Sequence, residues 1–224
     1  MSEASAQSLV IPVLRWHYWE GSPSELPELK SVEPLLRRRL SPQGRAALAV
    51  ADIVAGGLHP VRVVYASQHG ELARTLGIME SLRPECPDGP SPASFALSVL
   101  NSTPGIYSIA RRDHSPALAL SAGEASCWYG LMEAAQVWLE HRSPVLLISA
   151  DAPVPTLFRR GQVDLAPVRA LAVLIGAEGE ERLLARSPSQ SVDEQAALPA
   201  LASALASEGT WRREGSSWRL SRHA

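Results

Sequence analysis

Glu124 is the charged residue with the most obvious chance of doing chemistry in this sequence. It follows an apolar run, Ala117–Leu120, that predicts a buried strand, and a tight turn through Ser121 and Gly123. A helical pattern begins near Glu124. Open α/β sheets usually place their chemistry at such turns, because helix N–H groups converge there. Glu124 is therefore a candidate catalytic residue, and Ser121 and Gly123 are candidate binding residues.

The role of Glu124 has an alternative interpretation. The N-terminus of a helix favours the anionic form of a carboxyl group, whereas burial opposes it. A carboxylate in this place can simply accept helix N–H bonds and order the turn. Both interpretations stay open from the sequence.

His69 and Asn101 are further candidate binding residues near predicted strand ends, and Asp151 lies near another. His69 could act as a base at the edge of the sheet. Together with Ser121, these residues make no recognised catalytic set, and each type is also common in turns and caps. No Gly-x-Ser-x-Gly elbow accompanies His69, so the sequence does not support a hydrolase triad.

The elements around Glu124 form a predicted βαβ unit. A second apolar run, Val145–Ser149, predicts another buried strand, which should be parallel to the first with a right-handed connection. The helix between them has one apolar face, made of Cys127, Leu131, Ala134, Ala135, Trp138 and Leu139. Cys127 is therefore expected to be a small buried hydrophobic residue.

Other segments predict the remaining elements. Strands are expected at Leu9–Leu14 (at an edge, because of Pro12), Val61–Ala66 and Ala170–Ile175. Helices should begin at the Ser-Pro pairs of residues 41–42 and 91–92. A break is expected over Asn101–Gly105, a polar connector over Arg182–Ser191, a helix over Ala196–Ala206 and a hairpin over Gly209–Leu220. The aromatic stretch Arg15–Glu20 predicts a surface cluster over a sheet edge or a partner contact.

Composition favours one globular α/β domain spanning residues 1–224. The chain is 46% hydrophobic with a net charge of -2, which gives no indication of nucleic-acid binding. Cys86 and Cys127 form neither a zinc spacing nor a disulfide framework, so a reducing cytoplasm is expected. Residues 1–8 do not form a signal peptide, and no run is long enough for a membrane span. No nucleotide motif is present, and neither a metal nor a cofactor is predicted.

Four short stretches, read together, resemble the N-terminal half of β-ketoacyl synthases. They are Ser91–Phe95, Ser98–Asn101, Gly105–Ile109 and Leu120–Glu124. The order and spacing are similar to those of short β-ketoacyl-synthase-like proteins found near fatty-acid, polyketide and aryl-polyene gene sets. The similarity runs from about residue 9 to residue 175, and residues 176–224 would add a C-terminal helix and hairpin.

The resemblance implies a thiolase-like half, with a mainly parallel five-stranded sheet flanked by helices. In ketosynthases the turn after the central strand carries a nucleophilic Cys, which takes an acyl chain from an acyl carrier protein. Two histidines from the C-terminal half then drive condensation. Chain-length-factor subunits replace the Cys with a polar residue, usually Gln, and a Gln there accompanies malonyl decarboxylation in some related domains.

Three departures from this pattern shape the functional expectation. Alignment through Gly130–Ala135 puts Glu124 in the place of the Cys, and Cys127 lies almost one helical turn further along. The half with the histidines is missing. Leu100 stands where related short proteins tend to carry His. A carboxylate cannot form the thioester that loading requires.

The resemblance therefore implies a non-catalytic or atypical ketosynthase-like accessory protein. Its expected partners are a ketosynthase, an acyl carrier protein or both, within a homodimer or heterodimer that uses the thiolase-type edge. One alternative is an acyl-thioester decarboxylase or hydrolase that uses Glu124, and another is a module that binds an acyl chain. Self-association is also expected because the apolar face that met the second half needs a cover.

Overall fold

The computed structural model describes residues 9–158, 166–177, 181–185 and 197–206. In this part of the chain six strands form one sheet, and they are β1 (Leu9–Gly21), β2 (Arg62–Ala66), β3 (Ala117–Leu120), β4 (Val145–Asp151), β5 (Val168–Ile175) and β6 (Glu181–Ala185). Their spatial order is β3-β2-β4-β5-β1-β6.

Strand directions in this sheet are mixed. Both β3 and β4 pair with β2 in parallel, whereas β4 with β5, β5 with β1 and β1 with β6 are antiparallel. The predicted α/β, thiolase-like class is confirmed. The sheet differs from the expectation in detail, since it has six described strands and is parallel only at the β3-β2-β4 side.

Helices cover both faces of the sheet. They are α1 (Pro34–Arg37), α2 (Pro42–Ala55), α3 (Leu72–Ser81), α4 (Pro92–Ala96), α5 (Ser102–Arg111), α6 (Ser126–His141) and α7 (Ala197–Ala206), with a 3-10 turn at Thr156–Phe158. No helix in the described ranges is both long and apolar enough to cross a bilayer.

The alternation of side chains along β4 shows how the two layers form. Val145 and Leu147 pack into a core with α6 and α7, while Leu146 and Ile148 pack into a second core with α2 and α5. All four are fully buried. Because successive strand residues point to opposite faces, a continuous apolar run is what a strand covered on both sides requires.

The start of α2 follows its sequence signal. Ser41 accepts a hydrogen bond from the Gly44 N–H at 3.0 Å through its side chain, and Pro42 fills the first helical position. Helix α4 begins in the same way at Ser91 and Pro92. These caps orient the N-terminus of each helix, and that of α2 lies beside the site described below.

Several expectations from the sequence were wrong. β3 is not buried, because it has only one neighbouring strand in the described part of the chain, and Leu118 is 40% exposed. β1 continues through Arg15–Glu20, so the aromatic stretch is part of a strand paired with β5. Residues 181–185 form β6 rather than a connector. The expected break over Asn101–Gly105 is largely the first turn of α5. The predicted hairpin lies outside the described residues.

Candidate functional site

The ends of β2, β3 and β4 bring the sequence-predicted residues to one edge of the sheet. Ala66 at the end of β2 pairs with Leu120 of β3 on one side and with Ser149 of β4 on the other. Parallel strands end together at a common edge, so the segments after these strands are neighbours. The residues that follow are 67–71 after β2, 121–125 after β3 and 152–155 after β4.

Ser126, rather than Glu124, orders the turn before α6. The Ser126 hydroxyl accepts a hydrogen bond from the Ala122 N–H at 2.9 Å and donates to the Gly123 carbonyl at 2.7 Å. Gly123 adopts a φ of 57°, a left-handed conformation that glycine takes at little cost. The tight turn predicted from the sequence is therefore present, and α6 begins at Ser126.

Glu124 lies on this turn and is exposed to solvent. Its carboxylate makes no hydrogen bond or ion pair within the described part of the chain, and the residue that caps α6, Ala125, contributes no side-chain bond. The interpretation of Glu124 as a group that accepts helix N–H bonds is wrong in this structure. Equally, the described contacts give Glu124 no partner that would assist it as an acid or base.

Ser121 connects the turn after β3 to the turn after β2. Its hydroxyl donates to the Gln68 carbonyl at 2.7 Å. Gln68 in turn donates its backbone N–H to the Asp151 carboxylate at 2.8 Å. The structure thus links Ser121 to Asp151 through the backbone of Gln68, the residue before His69.

Asp151 is the hub of a largely buried polar network. One of its carboxylate oxygens accepts from the Ser67 hydroxyl at 2.8 Å as well as from Gln68. Burial raises the pKa of Asp151 to about 6, and the hydrogen bonds from Ser67 and from the backbone partly oppose that shift. Asp151 therefore changes protonation close to neutral pH.

His69 and Asn101 lie on adjacent turns. His69 is exposed, and burial of part of its ring lowers its pKa. A Cβ placed on Gly70 would lie 3.1 Å from Leu100 Cδ1, so the segment before Asn101 packs against the His69 turn. Asn101 itself is exposed at the start of α5, and its side chain forms no cap.

Cys127 is buried in the core, as its position on the apolar helix face predicted. It is 3% exposed, and burial raises the pKa of its thiol to about 12. A thiol with that pKa is protonated at neutral pH, and it is the thiolate that acts as a nucleophile. Burial and the raised pKa are therefore the opposite of what activates a thiol as a nucleophile.

Gln43 and Glu71 are two site residues that the sequence reasoning missed. Gln43 is 4% exposed and donates its amide N–H groups to the Tyr65 hydroxyl at 3.1 Å and the Ser67 hydroxyl at 3.4 Å. Glu71 is 7% exposed and pairs with Arg74 at 3.1 Å. The only sequence signal was their place beside a helix start, which does not reveal burial.

Metal binding has no support in the described ranges, where no group of three or more His, Cys, Asp or Glu side chains could hold an ion. The site is therefore a strand-end cluster with one exposed carboxylate, Glu124, and an interior polar network centred on Asp151.

Comparisons with known proteins agree with this fold. A family model described as "Beta-ketoacyl synthase, N-terminal domain" matches residues 16–219. A chain of the complex of the ketosynthase ApeO with its chain length factor ApeC from Xenorhabdus doucetiae superposes with a TM-score of 0.74 at 22% identity, over 96% of this chain and 100% of that chain. A chain of the ishigamide ketosynthase/chain length factor gives 0.55 at 15% identity, over 77% of this chain and 65% of that chain. The curated proteins include no match. At these identities the structural likeness concerns the fold.

Proposed function

Because the chain belongs to the β-ketoacyl synthase N-terminal domain family, we propose that it is an accessory subunit that pairs with a ketosynthase and does not itself condense acyl chains. The proposed setting is fatty-acid or polyketide biosynthesis, including the aryl-polyene type. An acyl carrier protein would then approach the pair and deliver its acyl chain to the ketosynthase.

The state of the two candidate acyl acceptors carries this proposal. In the resemblance stated above, Glu124 stands in the place of the nucleophilic Cys, and a carboxylate does not form a stable thioester. The nearby thiol of Cys127 is buried and protonated. With neither group able to hold an acyl chain, loading and condensation must take place on another chain.

The outer edge of β3 supports the pairing. The Val63 N–H donates to the Pro116 carbonyl and the Ser67 N–H donates to the Leu120 carbonyl. In a parallel ladder alternate residues face the same neighbour, so Ala117 and Ala119 direct their N–H and C=O groups away from β2. No described strand pairs with that side.

Large apolar side chains are exposed on this edge strand and on the helix that contacts it. Leu118 lies on β3 itself, and Ile109 is 62% exposed on α5, which packs against β3. An open, apolar edge strand is a surface that proteins usually cover, since it can pair with another chain. A strand from a ketosynthase would satisfy the free backbone groups and bury these side chains.

The solved complex of ApeO with ApeC gives a precedent for the pairing of a ketosynthase with a chain length factor, and a chain of that complex has the same fold as this protein. A heterodimer is therefore our first expectation, and a homodimer the second.

The pairing can be tested by titrating this protein with a candidate ketosynthase and measuring the complex by size-exclusion chromatography with light scattering. Ala119→Pro removes an N–H on the open side only, and Pro is tolerated on strand edges. Leu118→Lys adds a charge to the same surface. We expect each change to weaken the complex at least about tenfold, which corresponds to roughly 1.4 kcal/mol.

Ile53→Lys is the matched control, since Ile53 is 59% exposed on α2, away from β3. It should leave the complex intact. Failure of the unaltered protein to form any complex or homodimer would overturn the proposal, as would equal weakening by the control.

A further inference from the structure

The second half of β1 has an open outer side, which neither the family resemblance nor the proposed pairing through β3 explains. β5 pairs with β1 from Val13 to Gly21, whereas β6 pairs with it only from Leu9 to Val13. No other described strand lies beside Arg15–Gly21, and this stretch makes no backbone hydrogen bond to a described residue outside β5. Because antiparallel strands direct alternate backbone groups to each side, about half of those in the stretch have no described partner.

Both ends of this open stretch are defined by the fold. At one end, a β-bulge between Val13 and Arg15 shifts the register, and β6 covers the residues before it. At the other end, the chain after Gly21 turns toward β5, because Pro23 lines a pocket together with the first residue of that strand. The described chain therefore leaves a regular strand of seven residues, Arg15–Gly21, uncovered on one side.

Aromatic side chains dominate the open stretch. Residues 16–19 are Trp, His, Tyr and Trp, and each is partly buried. Trp16 and Tyr18 pack against the core that α6 and α7 cover, whereas Trp19 packs against the core that α2 covers. Arg15 lies on the α2 side, where its guanidinium donates to the last carbonyl of that helix at 3.3 Å. An edge strand with such side chains is a surface that readily pairs with another chain.

The order of these residues suits pairing with a second copy of the same strand. A two-fold axis normal to the sheet brings the two strands together antiparallel, and directly opposite side chains then point to the same face. With Tyr18 on the axis, residue 15 is opposite residue 21, 16 is opposite 20, and 17 is opposite 19. All seven residues then have a partner, and the bulge and the turn after Gly21 stay outside the paired region.

Opposite residues in this register are chemically matched. The indole N–H of Trp16 faces the carboxylate of Glu20 across the axis. At Gly21, an added Cβ would lie 2.6 Å from Trp19 Cζ2, so the Trp19 ring already covers the glycine. The Arg15 guanidinium of the second copy therefore meets that ring, which is a cation–π contact. Each of these pairs occurs twice about the axis.

Other registers match less well. A shift of one residue would set opposite side chains on opposite faces of the sheet. A shift of two residues, which places His17 on the axis, would bring Gly21 opposite Val13, where β6 already pairs. The reverse shift, which places Trp19 on the axis, would leave Arg15 beyond the end of the second strand. The register centred on Tyr18 is therefore the one that fits the ends of the stretch.

We propose that this open stretch is a self-association surface, in which Arg15–Gly21 pairs with the same stretch of a second copy and Tyr18 lies on the two-fold axis. The two sheets then become continuous, and the aromatic side chains of both copies cover one another. β3 lies at the far side of the sheet and stays free for a ketosynthase. Self-association through β1 and pairing through β3 can therefore be tested separately.

Single cysteines in the full chain test both the contact and its register. The background is Cys86→Ser, because Cys86 is exposed and Cys127 is buried. Directly opposite Cα atoms in antiparallel strands lie about 4.5–5.5 Å apart, within disulfide range, and only a residue on the axis is opposite itself. Tyr18→Cys alone should therefore form a disulfide-linked dimer in oxidised glutathione, at least about tenfold faster than Ile53→Cys, an exposed control on α2.

A second pair of variants keeps the test independent of any change at Tyr18. In the proposed register His17 is opposite Trp19, and each lies roughly 7–8 Å from its own counterpart, which is too far for a disulfide. His17→Cys and Trp19→Cys should each crosslink no faster than Ile53→Cys when alone. Their equimolar mixture should give a crosslinked heterodimer, which mass spectrometry identifies.

Sedimentation equilibrium of the unaltered chain, without a ketosynthase, should show a dimer whose population rises with protein concentration. Crosslinking of Tyr18→Cys at the rate of Ile53→Cys would overturn the proposal, as would rapid crosslinking of His17→Cys alone, which indicates another register. A dimer that forms through β3 would leave every variant at the control rate, and this result would also overturn the proposal.

Discussion

The ends of β2 and β4 and the end of β3 lie at the same edge of one sheet, yet they are built differently. After β2 and β4, Ser67 is fully buried and Asp151 accepts two hydrogen bonds. After β3, Ser121 and Glu124 are exposed, and Glu124 makes no described bond. The interior strand ends are held by a network, whereas the outer one is held by the short turn around Ser126.

This difference indicates where the fold constrains its sequence. Side chains of the interior network each satisfy more than one partner, so a change in one leaves others unpaired. Glu124 makes no described side-chain bond, so its removal leaves no other group unpaired. The comparison predicts large stability effects at the interior strands and small ones at the β3 side.

Leucines on the two strands give the largest expected contrast. Leu147 is fully buried on β4, whereas Leu118 is 40% exposed on β3. Leu147→Ala should lower the free energy of unfolding by roughly 2–5 kcal/mol, because it leaves a cavity in the core. Leu118→Ala should cost under about 1 kcal/mol in the isolated chain. Urea unfolding of both variants measures these stability losses. Similar losses for Leu147→Ala and Leu118→Ala would contradict the comparison.

A pair of serines tests the polar part of the comparison. Ser67→Ala removes a donor to Asp151 and an acceptor for Gly70 and Gln43, so it should cost roughly 2–3 kcal/mol. Ser121→Ala removes one exposed hydrogen bond, to Gln68, and should cost under about 1 kcal/mol. Guanidinium unfolding at pH 7 measures both stability costs. A larger loss of stability for Ser121→Ala than for Ser67→Ala would contradict the account.

The pH dependence of stability sharpens the role of Asp151. Its pKa is raised to about 6 in the folded chain, above an ordinary value of roughly 4. Over this interval the native state binds more protons than the unfolded state, so its stability must fall as pH rises. The favourable contribution is complete below about pH 4 and is lost as pH rises through about 6.

The matched variant for this prediction is Asp151→Asn, which cannot titrate and can still accept hydrogen bonds. Between about pH 4 and pH 7, the free energy of unfolding of the unaltered chain should fall by roughly 2 kcal/mol relative to that of this variant. Denaturant unfolding at several pH values measures the difference, in which other titrating groups largely cancel. A constant difference, or a relative gain with rising pH, would show that Asp151 does not titrate near 6.

Glu124→Ala should have the smallest effect. Because this carboxylate makes no described contact, its removal should change the free energy of unfolding by under about 0.5 kcal/mol. Turnover of malonyl- and acyl-thioesters, if any is measured, should be equal for Glu124→Ala and the unaltered chain. A loss of turnover in the variant would instead favour a decarboxylase or hydrolase that uses Glu124.

Local patterns predicted much of this architecture. Ala117–Leu120 is a strand with the predicted bounds, and α6, β4 and β5 lie within two residues of their predicted ends. The Ser-Pro pairs marked the starts of α2 and α4 correctly. These features depend on neighbours in sequence, through capping geometry and side-chain periodicity, and such information is present in a single chain.

The features that sequence reasoning missed depend on distant pairings. An apolar run such as that of β3 looks the same at the centre and at the edge of a sheet, and only strand order separates the two. The bond from Ser67 to Asp151 joins residues 84 positions apart, and no spacing predicts it. Local patterns predict that the first strand ends at Leu14, before the aromatic stretch, whereas pairing with β5 and β6 keeps β1 continuous to Gly21.

The most direct test of the accessory role is native mass spectrometry of this protein mixed with a ketosynthase that binds it and an acyl-loaded carrier protein. Dissociation of the complex in the spectrometer then reports the mass of each chain. The account predicts a complex of the two proteins with the acyl group covalently attached to the ketosynthase and none attached to this chain. An acyl adduct on this chain, whether at Cys127 or elsewhere, would contradict it.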